Sequence, residues 1–134
     1  LGENSRAISG DGSRVIAGAP RSDGAKGAAR VLKWESGGWA QVGPDILGQN
    51  SADLLGKSQG GSAVAIDYSG DYIVVGAAGA NGGGTERGEV RVFYWNAEGS
   101  GEWVQVGDTY SGTGDYGGFG GSVAIASNAL VIAM

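Results

Sequence analysis

The sequence contains no cysteine and no histidine among its 134 residues. The absence of cysteine excludes disulfide bonds and thiolate metal sites. Without these two residue types, the chain also lacks the commonest general base and the most ready nucleophile of enzymes. The acidic residues that remain as candidates form no recognisable constellation in the sequence: Glu86, Glu89, Asp108 and Asp115. We therefore expect a protein that is not an enzyme and has no catalytic residues, no cofactor and no metal.

The chain also has little basic charge and no long apolar run. Its net charge is −5 and its isoelectric point is near 4.5, which argues against nucleic acid or an anionic membrane surface as a partner. The longest apolar run, residues 72–80, is far shorter than the roughly 20 residues of a membrane-spanning helix. The sequence therefore predicts no membrane span.

Glycine is abundant and proline is scarce, with 29 glycines and 2 prolines. The glycines follow no collagen period, and a hydrophobic content of 41% is too high for a flexible linker. Because glycine accepts the positive φ of tight turns, this composition favours many short strands joined by turns.

The chain repeats itself. Residues 15–19 (VIAGA) return 58 positions later as residues 73–77 (IVVGA). Residues 27–34 (GAARVLKW) return 61 positions later as GEVRVFYW, and residues 39–43 (WAQVG) return 64 positions later as WVQVG. A third copy opens at residues 119–125 (FGGSVAI). This period indicates stacked units that cannot bury their apolar faces alone. The predicted units are 1–54, 55–118 and the truncated 119–134.

Each complete unit is predicted to have four short strands, and no segment shows a sustained helical period, so almost no helix is expected. The predicted strands are 5–9, 14–19, 28–34 and 39–43, then 62–67, 72–77, 88–95 and 103–107, then 121–126 and 130–133.

The second strand of the first unit and the strand after residue 128 are apolar on both faces, so sheets are expected to cover them from both sides. A two-sheet sandwich is the alternative, but it does not predict near-identical units of about 60 residues. The fold class predicted is all-β: a partial β-propeller of four-stranded antiparallel blades, with about two blades and the start of a third.

Several of these segments resemble a known family. The opening FGGSVA of the third unit (119–124) resembles the FG-GAP repeat of the integrin-α N-terminal β-propeller, and residues 18–20 (GAP) match the second half of that signature. The second unit has the degenerate form GAA at 76–78. The first two units depart from the family by opening with Leu1-Gly2 and Leu55-Gly56 in place of Phe-Gly. The resemblance implies an extracellular or organelle-lumen location and a calcium loop between the first two strands.

The calcium loop itself is not carried over. The corresponding stretches, 9–14 and 67–71, offer one carboxylate (Asp11) and two carboxylates (Asp67 and Asp71), whereas calcium takes six to eight oxygen ligands. We expect ordinary β-turns there, with Asp11 bonded to its own backbone.

Two glycine-rich matches are attributed to chance. Residues 56–58 (GKS) imitate the end of a phosphate-binding loop, but Ser51 occupies the position of the upstream glycine and no helix is predicted to follow. Residues 112–117 (GTGDYG) fit the dinucleotide pattern but lead into a strand, whereas that pattern requires a helix N-terminus for the pyrophosphate.

The tryptophans recur at matched positions: Trp34, Trp39, Trp95 and Trp103. Aromatic platforms stack sugars and bases, but recurrence in register favours packing between units.

The predicted function is a non-enzymatic scaffold that contacts a protein or a glycan through its loops, here 20–27, 79–87, 96–102 and 108–118. Because propellers close with about four to eight blades, we expect a longer chain or a larger assembly. One alternative is an extrinsic subunit of a membrane-protein complex, such as an algal photosystem, as the family's occurrence suggests. The other is a hydrolase or lyase with its site in a propeller channel.

Overall fold

The computed structural model describes residues 5–129 and the strand residues 132 and 133, and within this part the chain is all-β. The first sheet contains β1 (Arg6–Ile8), β2 (Arg14–Ala19), β3 (Ala28–Glu35), β4 (Gly38–Gln41) and β5 (Ile46–Leu47). The second sheet contains β6 (Val64–Ile66), β7 (Tyr72–Ala77), β8 (Glu89–Asn96), β9 (Glu102–Gln105) and β10 (Tyr110–Ser111). A third sheet pairs β11 (Ala124–Ile125) with β12 (Ile132–Ala133). All three sheets are antiparallel, and the all-β prediction is confirmed.

The near absence of helix is confirmed for the described residues. Their one helical segment is α1 (Ser22–Ala25), and Asp23, Gly24 and Ala25 within it have positive φ, so it is a left-handed turn. No helix in the described part of the chain is long and apolar enough to cross a membrane.

The predicted strands are close to those observed, although β6 and β11 are shorter than the predicted 62–67 and 121–126. The predicted opening of the first unit at Leu1-Gly2 lies outside the described residues. Leu130, Val131 and Met134, at the end of the third unit, also lie outside them.

The two five-stranded sheets have the same strand order and the same register. In both, three strands pair in sequence order, and the last two strands both pair with the third. Gly18 lies opposite Ala29 in the first sheet, and Gly76 lies opposite Val90 in the second. The repeat in the sequence is therefore also a repeat in hydrogen bonding.

The fifth strand of each sheet was not predicted. The β4 and β5 strands lie end to end along one edge of β3, with β4 pairing with its second half and β5 with its first two residues. Gly43 interrupts them because its φ of +69° turns the chain out of the ladder, and Gly107 does the same between β9 and β10. Four strand positions per unit are thus filled by five segments.

Two apolar cores separate the three sheets. The first core lies between the first and second sheets, and its members are Ile16, Ala29, Val31, Val42, Ile46, Leu55, Val64, Ile66, Ile73, Val75, Ala77, Ala80, Phe93 and Trp103. The second core contains the buried residues Ala65, Val74, Val90, Val92 and Val123, with Phe119 and Ile125 packed against them. Successive sheets therefore cover each other's apolar faces, which gives the second sheet a dry environment on both sides.

Glycines allow the backbones of successive units to approach closely. A Cβ on Gly18 would lie 2.6 Å from the carbonyl oxygen of Gly56, and a Cβ on Gly76 would overlap the carbonyl oxygen of Gly120. The Gly56 N–H also donates to the Gly76 carbonyl at 2.8 Å. The start of each new unit therefore lies directly on the second strand of the unit before it. We call these two contacts the glycine seams.

We expect Gly18→Ala and Gly76→Ala each to lower the free energy of unfolding by about 2 kcal/mol, because overpacking a closed contact forces the backbone apart. Gly38→Ala is the matched control, since a Cβ there meets nothing within 4 Å. Urea unfolding followed by tryptophan fluorescence measures the difference. Equal stability of all three variants would contradict the tight seam.

Candidate functional site

The turns that correspond in position to the family's calcium loops are held by side-chain hydrogen bonds of their own. In the first unit, Ser9 Oγ donates to Asp11 Oδ1 at 2.7 Å, and the Ser13 N–H donates to the same oxygen at 2.9 Å. In the second unit the residue types are exchanged, and Ser69 Oγ donates to Asp67 Oδ2 at 2.8 Å. The predicted bond between Asp11 and its local backbone is confirmed. The Ser13 N–H, and after it the Ser9 hydroxyl, lower the pKa of Asp11.

The third turn carboxylate, Asp71, belongs to a contact between units. Its Oδ1 accepts from Arg14 Nη1 at 2.8 Å, and the same nitrogen donates to the Gly70 carbonyl at 2.7 Å. Over the described residues, no group of three or more acidic side chains is arranged to hold a metal ion.

Neither glycine-rich match precedes a helix. Gly56, which begins the first match, lies in a glycine seam, and the strand β6 follows. The second match, 112–117, forms turns that lead to Phe119. Phe119 forms an isolated parallel β-bridge with Gly88.

The tryptophans form two pairs with different surroundings. Trp95 and Trp103 have ring centroids 5.2 Å apart and lie against the first sheet, where Trp103 Nε1 donates to the Val42 carbonyl at 2.8 Å. Trp34 and Trp39 form the equivalent pair, 5.4 Å apart, but their residues are 57% and 54% exposed. The expectation of packing between units holds for Trp95 and Trp103, whereas Trp34 and Trp39 are exposed.

Two arginines in equivalent positions also differ. Arg30 donates from Nε and Nη2 to the two carboxylate oxygens of Asp45, both at 2.7 Å. Among the residues that the structure describes, Arg91 has no carboxylate partner of this kind; it is buried, and its Nη2 donates to the Leu47 carbonyl of the first sheet at 2.8 Å. Burial lowers the pKa of Arg91. Arg30 thus bonds within the first unit, whereas Arg91 connects the second sheet to the first.

The structure joins loops that are distant in sequence. Loop 79–87 and the second half of loop 108–118 are connected by backbone hydrogen bonds, including Tyr116 N–H to the Thr85 carbonyl at 2.7 Å and Gly118 N–H to the Glu86 carbonyl at 3.2 Å. Arg87 Nε also donates to Asp115 Oδ1 at 2.6 Å. This bond, followed by the Thr85 N–H, lowers the pKa of Asp115. We call the surface formed by loop 79–87 and residues 112–118 the paired-loop edge.

The first unit has the same arrangement, with loop 20–27 bonded to residues 48–54, for example through Leu54 N–H to the Ala25 carbonyl at 3.2 Å. Residues 48–54 were not predicted as part of a loop surface, because nothing in their sequence shows which loop they meet. Loop 96–102 connects β8 to β9 and so lies at the opposite end of the sheet.

Tyr116 is an exposed aromatic residue of the paired-loop edge, at 74%. Its φ is +58°, a backbone conformation that is unfavourable for a bulky residue, whereas the equivalent residue of the first unit is Ala52 at +71°. Strained positions of this kind cluster at ligand-contacting sites.

The acidic candidates do not converge. Asp115 and Glu86 belong to the paired-loop edge, Glu89 lies on β8, and Asp108 lies in the connection between β9 and β10. Comparison with family models, curated proteins and solved structures finds no match to this chain.

We expect Tyr116→Gly to raise the free energy of unfolding by about 0.5–1 kcal/mol, because glycine relieves the positive φ and little packing is lost. The control is Tyr110→Gly on β10, where glycine weakens a strand and stability should fall. Urea unfolding curves of the two variants give the comparison, and a loss of stability in Tyr116→Gly would contradict the assigned strain.

The Arg30 contact predicts a pH dependence. The hydrogen bond from Arg30 holds the pKa of Asp45 below its ordinary value of 3.8, so the unfolded chain binds this proton more readily than the folded chain. The stabilisation is present above about pH 4 and is lost as the pH falls through the lowered pKa. Asp45→Asn should therefore cost about 0.5–1 kcal/mol at pH 7 and less at pH 3. Asp108→Asn is the control, and urea unfolding at pH 7 and pH 3 measures the difference. A loss of unfolding free energy in Asp45→Asn that is the same at both pH values would contradict the role of the Arg30–Asp45 contact.

Proposed function

We propose that this chain is a non-enzymatic scaffold of the FG-GAP β-propeller kind, which works within a larger assembly and contacts a protein partner through the paired-loop edge. The observation that carries the proposal is the repeated stacking of successive units. The glycine seams repeat from one unit to the next, and an apolar core fills the space between each pair of successive sheets. A stack of this kind gives a stiff support for loops.

The blade interpretation is supported by the topology. Each complete unit has four strand positions in sequential antiparallel order, as a propeller blade has. Inner strands of successive units also pack together, since β1 contacts β6 and β6 contacts β11. A simple sandwich of two sheets does not account for a third sheet packed on the second.

The choice of the paired-loop edge is supported by the way Tyr116 is presented. Large aromatic side chains are common anchors of protein interfaces, and a rigid anchor loses little entropy on binding. Tyr116 is exposed, while its backbone and the adjacent Asp115 are fixed to the other loop through Thr85 and Arg87.

The partner can be identified with a photoreactive amino acid at position 116, with the same label at position 68, another exposed tyrosine, as the control. The labelled chain is cross-linked in an extract of its own cells, and the protein captured only from position 116 is then purified. Calorimetry should show binding by the wild-type chain and at least tenfold weaker binding by Tyr116→Ala.

Arg87→Ala should weaken binding less than Tyr116→Ala, because it loosens the loop without removing the anchor. Equal affinity of Tyr116→Ala and the wild-type chain would contradict the choice of this edge. A hydrolase or lyase activity of the purified chain would contradict the scaffold assignment as a whole.

A further inference from the structure

The Asn81–Gly82 pair of the paired-loop edge carries chemistry that the proposed function does not use. Asn81 is exposed and begins a turn in which the Gly84 N–H donates to the Asn81 carbonyl at 2.8 Å. Gly82 has a φ of +56°, and within the described residues its N–H donates no hydrogen bond. The asparagine amide is therefore followed directly by a backbone nitrogen that is unhindered by a Cβ and has no competing partner.

The side-chain carbonyl of Asn81 accepts a hydrogen bond from the same loop. Its Oδ1 accepts from the Glu86 N–H at 3.3 Å. When a nucleophile adds to the Cγ of an amide, negative charge develops on this oxygen, and a fixed backbone donor stabilises that charge. The loop thus supplies an electrophile at Asn81 Cγ, a donor to its oxygen and, at Gly82, a nucleophile.

We propose that Asn81 is a site of spontaneous modification, at which the side-chain amide is converted to an isoaspartyl or aspartyl carboxylate. The Gly82 nitrogen bonds to Asn81 Cγ, and the Cγ–Nδ2 bond breaks, so that the proton of the Gly82 N–H leaves with the amide group as ammonia. The product is a cyclic succinimide. Water then adds to one of its two carbonyl carbons and breaks that carbon's bond to the Gly82 nitrogen. Opening at the main-chain carbonyl gives isoaspartate, and opening at Cγ gives aspartate. Water is the only co-reactant.

Two other asparagines serve as internal references. Asn96 Oδ1 also accepts from a backbone N–H, at 3.1 Å, but the residue that follows is Ala97, whose Cβ crowds the nitrogen. Asn50 is exposed as Asn81 is, but a serine follows it. Among these three asparagines, only Asn81 combines an exposed amide, a backbone donor to Oδ1 and a following glycine.

The isoaspartyl product alters the loop that fixes Tyr116. Its backbone runs through Cγ, so one carbon is added to the chain at residue 81, and a negative charge is added to the loop that contains Glu86. Backbone hydrogen bonds close the turn at both ends, so the added carbon shifts the residues that follow it. These include Thr85 and Glu86, whose carbonyls accept from the Tyr116 and Gly118 N–H groups. Any effect on partner binding rests on the proposed function, whereas the modification itself does not.

Incubation of the folded chain at 37 °C and pH 8, followed by tryptic digestion and mass spectrometry, tests the modification. Peptide 58–87, in which Asn81 is the one asparagine, should gain about 1 Da as the amide becomes a carboxylate. This gain should be at least tenfold faster than the gain at Asn50 or Asn96.

Gly82→Ala should slow the reaction at Asn81 to the rate at Asn96. Gly83→Ala is the matched control, because Gly83 also has a positive φ, of +83°, with nothing within 4 Å of a Cβ, and the variant keeps the Asn81–Gly82 bond. It should react as fast as the wild-type chain. Circular dichroism shows whether each variant folds, and if Gly82→Ala does not, the three asparagines of the wild-type chain supply the comparison.

Equal rates at Asn81, Asn50 and Asn96 overturn the proposal. A rate at Asn81 that is tenfold lower in the folded chain than in the chain unfolded by urea also overturns it, because the fold then protects this amide.

Hydrogen exchange at the Tyr116 and Gly118 amides measures the consequence for the paired-loop edge. In the isoaspartyl form, separated by ion exchange, both amides should exchange at least tenfold faster than in the unmodified chain. Asn81→Asp carries the charge without the added carbon and should exchange as the wild-type chain does. Unchanged exchange in the isoaspartyl form overturns the effect on the loop. Unchanged partner binding by Tyr116→Ala contradicts the proposed function alone, since the mass gain and the exchange rates are measured on the isolated chain.

Discussion

The close approach of backbone to backbone at the glycine seams is the constraint on which the rest of the structure depends. Gly18 and Gly76 bring the second strand of a unit against the opening turn of the next unit, at distances that any side chain would prevent. This contact fixes how far apart successive sheets lie. The two apolar cores follow, because sheets held at that spacing meet with their apolar residues interdigitated.

The interface between the first and second units is filled differently at its outer edge, which is near β8 and β9 and away from the glycine seam. Where the seam needs the absence of side chains, the outer edge is filled by the largest side chains, with Trp95 and Trp103 lying over Gly43. The indole hydrogen bond to the Val42 carbonyl satisfies a backbone group that has left the strand ladder at the Gly43 turn. The first unit is therefore held to the second by a glycine contact at β2 and by a tryptophan contact at β8 and β9.

Position in the stack changes the role of equivalent residues. Trp39 and Trp103 occupy the same place in their units, yet one is exposed and the other is buried. Arg30 pairs with Asp45 within its own sheet, whereas the equivalent Arg91 reaches the neighbouring sheet through the Leu47 carbonyl. Equivalent residues therefore differ in burial and in hydrogen-bond partner between the first unit and the second. The paired-loop edge is different, because its loop pairing recurs in both units, while the exposed Tyr116 and the Arg87–Asp115 contact belong to the second unit.

The sequence alone determined four of the five strands of each complete unit, the length of the repeat and the matched tryptophans, because alternation, turn residues and self-similarity are local properties of the chain. It also indicated turns at Asp11 and Asp67, since a carboxylate can bond its neighbours two residues away. Only the tertiary structure decided that loop 79–87 meets residues 112–118, that β4 and β5 share an edge of β3, and that Trp34 and Trp39 remain exposed. Each of these depends on distances between residues far apart in the chain or on the presence of a neighbouring unit, and no local pattern encodes such information.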